Sequence, residues 1–470
     1  MSRSSRPAFD FPVPAAVFAL TLLLNLSVRS YFFNFDGVAC AVAVELSDFK
    51  HLVHGNHLAY GVLAWVFDQS WRLLGYGGRA LYPLQALSGL LGAAAAAVFS
   101  SLLLRAGRST REALLGGVAL ALSHAWWYWS LEAQVYMLGA LFIALAAREV
   151  LGEKPRPWLV GAWHAAAILG HVGHVMAAPA LTWALPRRRR DVLEYGISAA
   201  LVTAIAYLAA AAFAVRPATF EEWRVWLLGS AALTADRHFA WHNAPLASSA
   251  ADWLKMSLTI FLAEGPARPL VLFALIAAAW GLRRGGRTAH FWGLWLLGYA
   301  ALYLTWEPNT IVYRITDLLA LYALAFEGLK QWPARRRALA LAAWCGVAGL
   351  HNWSQAVLPA SRPDANIDLN EALWSGRSTP ENAWVLAAGR GRIYLPYFAG
   401  RKPLDPRYWR DETYLFARLD ALAKEGEPVY AADRSLALSQ WTDSFARYGL
   451  ADAGRGGGFQ LYRVLRTKPR

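Results

Sequence analysis

Charged side chains are scarce in this chain of 470 residues: Asp, Glu, Lys and Arg together make up 17% of it, where a soluble domain carries about a quarter. With 57% apolar residues and a mean hydropathy of +0.28, that scarcity excludes an ordinary soluble enzyme and a disordered chain. Cysteine is scarcer still. Cys40 and Cys345 are the two present, so neither a disulfide framework nor a thiolate metal site is available, and Cys345 lies within an apolar run, which argues against pairing them. Acidic residues are the minority charge, 32 against 46 Lys and Arg, leaving a net +14. A nucleic-acid protein could carry that excess. Here it falls in short clusters between apolar stretches, the pattern of cytoplasmic loops on a multispanning membrane protein.

The apolar stretches set the expected architecture. Arg3 and Arg6 precede an apolar run over 13–28 with no clear small-residue cleavage site after it, so this run reads as a first span with its N-terminus inside. Further runs of spanning length cover 80–104, 113–130, 133–150, 197–215, 290–306, 311–329 and 338–353. The stretch 158–186 is long enough for two short spans meeting near His171 and His174, and 253–282 is interrupted by EGPARP. The basic clusters at 105–111, 148–156, 187–190, 283–287 and 334–337 are most cheaply placed inside together. The segment 57–76 carries Asp68, Gln69 and Arg72, which are costly at mid-bilayer, and crossing there would put 105–111 outside. It therefore reads as a helix on the outer face. The expectation is an all-α polytopic membrane protein of about eleven spans, with its N-terminus cytoplasmic and the polar complexity on the outer side.

From 355 onward the chain becomes rich in charge, Pro and Gly. Short β-like runs at 383–388, 428–432 and 459–465, with a helical stretch at 411–426 between two of them, predict a small outer α/β domain over 355–470, after a spanning domain over 1–354. GRG at 389–391 and GRGGG at 454–458 lack the rest of any phosphate-loop motif and read as plain turns.

Residues that could carry chemistry concentrate in the first outer loop, 31–79. Asp36 stands where a carboxylate could take a proton from an incoming hydroxyl at the membrane boundary; as an Asp before Gly-Val-Ala it could equally cap a short helix. His51, His54 and His57 recur at every third position, so one helical face could present at least two of them. They could ligate a divalent metal with Glu45 or donate to a phosphate, or be ordinary polar loop residues. His171 and His174 could face the same side or pack between helices. Arg314, at the outer end of a span, could bind a phosphate, snorkel, or pair with Asp317 three residues on. Glu132 and Tyr136, one turn apart, could line a cavity, with Tyr136 alternatively an interfacial aromatic. The loop 217–252, with His238 and His242, has an amphipathic stretch that could form a lid.

The order of these motifs resembles a known family. DG…AxAxE…DF…LxHxNHLxYG in the first loop, WWYWSLEAQVYMLGALF at 126–142, GHVGHVMAAPAL at 170–181 and WEPNTIVYRITDLLALYAL at 306–324 resemble a GT-C type membrane glycosyltransferase. More narrowly, they are similar to the bacterial relatives of the protein O-mannosyltransferase family. Three features depart from that pattern. Gln134 stands at the usual acid, with Glu132 two residues earlier; the His-Pro-Pro stretch reads His54-Gly55-Asn56-His57; and no adjacent acidic pair accompanies Asp36.

The resemblance implies inverting transfer of a sugar from a polyprenyl phosphate to an acceptor (protein, lipid or polysaccharide) on the outer face of a bacterial cytoplasmic membrane. It makes Asp36 the base, with Glu45 as a second carboxylate, and His54, His57, His171, His174 and Arg314 the candidates for holding the donor phosphate. Asn56, Glu132, Tyr136, Glu307 and Tyr313 are expected to line the cavity, and a divalent metal stays open as a cofactor. Two alternatives stand beside it: a glycan ligase or polymerase using a lipid diphosphate, and a non-catalytic transporter or envelope-glycan assembly factor. No internal repeat of the kind transporters show is evident.

Overall fold

The computed structural model describes residues 12–186, 188–228, 245–406 and 411–465, so His238 and His242 lie outside the described residues. The chain divides into two compact units, Met1–Ser30 with Ala43–Pro359 and Tyr31–Val42 with Ala360–Arg470. The division thus falls at 359/360, five residues beyond the compositional change, and gives a piece of the first loop to the C-terminal unit.

The first unit is helical. Leu81–Arg105 and Arg189–Val215 are long and apolar enough to cross a bilayer by themselves, with mean hydropathy 2.0 and 2.1. Two-thirds of the first is packed among its neighbours. The second buries almost nothing against protein, and Leu193, Ile197, Leu201, Ile205 and Leu208 stay exposed. An apolar helix with so little protein cover is what a lipid environment solvates.

Two runs expected as single spans, 113–130 and 311–329, are interrupted instead. The run 113–130 divides at Ser123 into Thr110–Leu122 and His124–Ser130. The groups freed by the break are met elsewhere: His124 N and Ala125 N donate to Phe261 O and Ile260 O at 2.9 and 3.0 Å, and Asn352 Nδ2 donates to Leu122 O at 2.8 Å. Apolar periodicity cannot anticipate such a break, because its partners come from distant segments. The run 158–186 divides at His171 into Pro157–Gly170 and Ala178–Ala184, joined by the 3-10 turn Val172–Ala177, in keeping with two short segments meeting near His171 and His174. The run 311–329 opens with a 3-10 turn, Ile311–Arg314, before the helix Asp317–Gly328.

Hydrogen bonds tie the basic loops together. Arg108 pairs with Glu327 and Arg337 with Glu112. Arg105 Nη1 donates to Arg148 O at 3.3 Å, Arg284 Nη1 to Gln331 Oε1 at 3.2 Å, and Arg287 Nη2 to Ala184 O at 2.9 Å. The helices Tyr136–Val150, Pro157–Gly170 and Gly286–Trp306 run from this basic end to an opposite end that holds Tyr136, His171 and Glu307. The arginine-rich loops thus gather at one end of these helices, and Tyr136, His171 and Glu307 at the other.

Val271–Arg284 and Asp317–Gly328 touch backbone to backbone. A Cβ at Gly281 would stand 1.9 Å from Leu324 O, and one at Gly328 would stand 2.0 Å from Ala277 O. Small residues four apart permit that approach. Gly281→Leu is therefore expected to force the helices apart and cost about 1–3 kcal/mol, read as a lower unfolding midpoint of the detergent-solubilised protein than for a substitution at the open Gly346.

The second unit holds a five-stranded sheet in the order β2-β1-β3-β5-β4, formed by β1 Trp384–Leu386, β2 Lys402–Leu404, β3 Val429–Ala432, β4 Leu450–Gly456 and β5 Phe459–Val464. Strands β2, β1 and β3 are parallel, and β5 and β4 close the sheet antiparallel. The helix Glu412–Lys424, capped by Asp411 Oδ1 accepting from Tyr414 N at 2.8 Å, packs Leu415, Leu419 and Leu422 on Leu386, Val429, Ala431 and Phe445. The three runs and the helix anticipated from sequence are all present; the edge strands β2 and β4 are additional.

Candidate functional site

Asp36 lies in the second unit, in the first turn of the helix Phe35–Glu45. It does not cap that helix. Asn34 does, its Oδ1 accepting from Asp36 N at 2.9 Å, so the carboxylate is not committed to capping. One turn on, burial and then the charge of Asp36 push the Cys40 thiol up to about 12, so Cys40 stays protonated and is no nucleophile.

Glu45 belongs to the first unit and is engaged there: Oε2 accepts from Arg79 Nη1 at 3.0 Å and Oε1 from Ala80 N at 2.9 Å, at the start of Leu81–Arg105. Arg72, on Leu58–Leu73 and paired with Asp68 at 2.6 Å, lines with Glu45, Gly77, Gly78 and Arg79 an open cavity of about 490 Å³. The motif order gave no notice of Arg72 and Arg79 here.

The three histidines at every third position do not share a helical face. His51 sits on the one-turn helix Phe49–Leu52 and pairs with Asp48 at 2.7 Å, out in solvent. The helix ends at Leu52, and the loop after it passes so close to Trp226 O that a Cβ at Gly55 would stand 2.1 Å from it. His54 and His57 face each other across a β-bridge, their rings edge to face at 4.4 Å. Outside supports hold the loop: Trp226 Nε1 donates to Val53 O at 2.8 Å, Tyr207 OH to Gly55 O at 2.5 Å, and Val172 N to Asn56 O at 2.8 Å. The last of these joins it to the turn that begins at His171.

His54, His57 and His171 lie near enough to influence one another electrostatically, and Tyr136 and Tyr313 flank His171. The His171 ring lies 5.2 Å from Tyr136 and 5.7 Å from Tyr313, and Tyr313 stacks flat on Tyr303 at 4.8 Å. His54 Nδ1 accepts from Asn56 N at 3.2 Å and His171 Nδ1 from Gly173 N at 3.1 Å. That network assigns the proton of each neutral ring to Nε2, making it a donor. His57 Nδ1 is buried without a hydrogen-bond partner, which a ligand would explain. All three rings are kept neutral. Burial, then the charge of His51, lowers His54; burial, then His54 and His171, holds His57 well below 6.5; burial, then His174 and His54, lowers His171 to about 3.

The unfolded imidazoles take up protons near pH 6.5 while folded His171 resists down to about pH 3. The unfolded state then binds more protons across that window, so stability falls as the pH drops through it. Near pH 5, His171 alone is expected to cost about 2 kcal/mol relative to neutral pH, seen as a lower thermal midpoint in acid that His171→Asn partly relieves.

The remaining candidates are satisfied by protein. His174 Nδ1 bonds Tyr299 OH at 2.7 Å, His164 Nε2 bonds His174 O at 2.9 Å, and a Cβ at Gly139 would meet the His174 ring, so His174 packs between helices. Arg314 is buried: Nε donates to Asp317 at 2.5 Å, Nη1 to Trp253 O and Nη2 to Ser257 Oγ, both at 2.9 Å, and the guanidinium lies over the Trp253 ring. Glu132 is buried against Ser30 in the turn before the helix that Tyr136 begins, so the two are not one helical turn apart. Glu307 accepts from Thr310 Oγ1 at 2.8 Å. Among the described residues no group of three or more His, Cys, Asp or Glu stands ready for a metal ion. The Glu45–histidine metal site is not formed, because Glu45 is held by Arg79 and His51 by Asp48.

No family profile and no curated protein matches the sequence. Solved structures match the fold. ArnT from Cupriavidus metallidurans bound to undecaprenyl phosphate aligns with a TM-score of 0.64 at 12% identity, over 97% of this chain and 98% of that one. An oligosaccharyltransferase from Archaeoglobus fulgidus, in complex with Zn and sulfate, aligns at 0.57 and 14% identity over 92% and 71%. The arabinofuranosyltransferase AftD from Mycobacteria aligns at 0.55 and 16% over 99% and 40%. The chain has the fold of these GT-C type glycosyltransferases.

Proposed function

We propose that the protein is a membrane glycosyltransferase that moves a sugar, a hexose or a pentose, from a polyprenyl phosphate to a hydroxyl of an acceptor on the outer face of the cytoplasmic membrane. One observation carries this: the fold match runs nearly end to end along both chains with ArnT, whose structure holds undecaprenyl phosphate. The helical unit would cross the bilayer about eleven times, with the basic loops on the cytoplasmic side.

Asp36 takes the proton of the acceptor hydroxyl. The hydroxyl oxygen attacks the anomeric carbon from the face opposite the phosphate, with inversion. The bond from that carbon to the phosphate oxygen breaks, and its electron pair leaves on the lipid phosphate. The Nε2–H groups of His54 and His171 donate to the phosphate oxygens as their charge grows, with His57 contributing its unpartnered Nδ1. Preformed neutral donors suit a group already anionic in the ground state, since no proton need be exchanged. Arg314, saturated by Asp317, Ser257 and Trp253, sets Tyr313 in place, and Glu45 orders the Arg79 end of Leu81–Arg105.

Incubating the purified protein in lipid nanodiscs with labelled polyprenyl-phosphate sugars is expected to release polyprenyl phosphate when membrane extract supplies acceptors. Release only from lipid diphosphates would replace the donor. No turnover with either class, together with flux of the labelled lipid, would make the protein a carrier.

A further inference from the structure

The segment bearing Asp36 falls in the same compact unit as the C-terminal sheet, and that unit holds it by the backbone. Tyr31 N donates to Ala360 O at 2.7 Å. Asn366 Nδ2 donates to Tyr31 O at 2.8 Å and Phe32 O at 2.9 Å. Tyr394 OH donates to Phe32 O at 2.9 Å and also meets Phe33 O, and Arg390 Nη1 reaches Phe32 O at 3.2 Å. The guanidiniums of Arg390 and Arg392 lie over the rings of Phe32 and Phe35, each at 4.0 Å. Arg390 comes from the GRG stretch at 389–391 that reads as a plain turn in the sequence, and Arg392 directly follows it.

Between the gripped carbonyls and the helix, Phe33 has φ +44. The left-handed region is costly for a bulky side chain and persists only where its surroundings over-determine it. Here they do: the Phe33 ring is buried and stacks on Phe398 at 5.2 Å. Three residues later comes Asp36, its amide fixed by Asn34. A strained residue clamped on both sides, just before a reactive carboxylate, is a device for aiming that carboxylate.

We infer that Asn366 and Tyr394 are positioning residues for the transfer: they fix the backbone at 31–33 and with it the direction of the Asp36 side chain. The inference rests on Asp36 being the base. It gives the C-terminal unit a part in catalysis.

Two variants isolate the grip. Asn366→Asp keeps the side-chain oxygen that accepts from Leu369 N at 3.1 Å and caps Ile367–Ser378, but removes the two donors to the loop. Tyr394→Phe removes one oxygen. Each is expected to lower kcat roughly 10- to 100-fold, as small misplacements of reacting groups do, while KM for the lipid donor moves less than about threefold. Amide exchange over 33–38, followed on the intact protein in nanodiscs, is expected to quicken about tenfold. Unchanged kcat and exchange in both variants overturn the inference, and so does a raised KM at full kcat. Asp36→Asn in the same assay separates the two levels. If Asp36→Asn turns over like wild type, the base assignment fails and the positioning role with it. If Asp36→Asn is inactive while both other variants are fully active, the positioning role alone fails.

Discussion

Asp36→Asn is expected to lower transfer by about 10³-fold, inside the 10²–10⁴ range of general-base assistance, with no measurable loss of folding stability. The substitution changes one atom and leaves the local backbone its supports. The hydrogen bond at the start of Phe35–Glu45 runs from the amide of residue 36 to Asn34 Oδ1, so asparagine at 36 keeps it. What is lost is the ability to accept a proton at neutral pH. Asp36→Glu retains basicity but lengthens the side chain by one methylene, and is expected to recover part of the rate, because a shift of about 1 Å costs up to roughly 10²-fold. The measurement is labelled polyprenyl phosphate released per enzyme, alongside the thermal midpoint. Full activity in Asp36→Asn would remove the base. A collapsed midpoint would return Asp36 to a structural role.

The parts of the molecule that local pattern could announce are those whose causes are local. Strands β1, β3 and β5 are short runs of apolar and aromatic residues beside turn signals, and were legible. β2, with Pro403 between Lys402 and Leu404, and β4, read as LADAGRG, are edge strands whose existence depends on the neighbour they pair with. The pairing of Arg314 with Asp317 was legible as an i, i+3 neighbour; its third partner, Ser257, was not. The histidine spacing misled because a period of three is helical only where the backbone stays helical. The helix stops at Leu52 and the following loop packs against Trp226, some 170 residues away in sequence, so no window of local sequence contains that contact. The same holds for Glu45. Its proximity to three histidines in sequence suggested a shared ligand set, whereas Arg79 and Ala80 claim both of its oxygens. Motif order pointed to the GT-C fold; it did not reveal that residues 31–42 belong with the C-terminal unit.

The imidazole group yields the second large effect, and the two nitrogens of His171 can be tested apart. Its Nδ1 accepts from Gly173 N and so serves the fold of the turn; its Nε2–H is the atom assigned to the phosphate. Asparagine places its amide oxygen near the position of Nδ1 and has nothing at Nε2. Glutamine reaches Nε2 with an N–H donor and leaves Gly173 N without its acceptor. His171→Asn is therefore expected to keep the thermal midpoint while losing about 10²-fold in kcat, the cost of removing one preorganised donor to developing charge. His171→Gln is expected to keep more of the rate while losing about 1 kcal/mol of stability. A residue that merely packs against Tyr136 and Tyr313 would give the opposite order. The pH response adds an independent check. Because burial keeps these rings uncharged well below neutrality, raising the pH from about 6.5 to about 8 removes no imidazolium, and kcat should not fall over that interval on their account. A fall over that interval that disappears in His171→Asn would mean that a protonated ring, rather than a neutral donor, meets the phosphate.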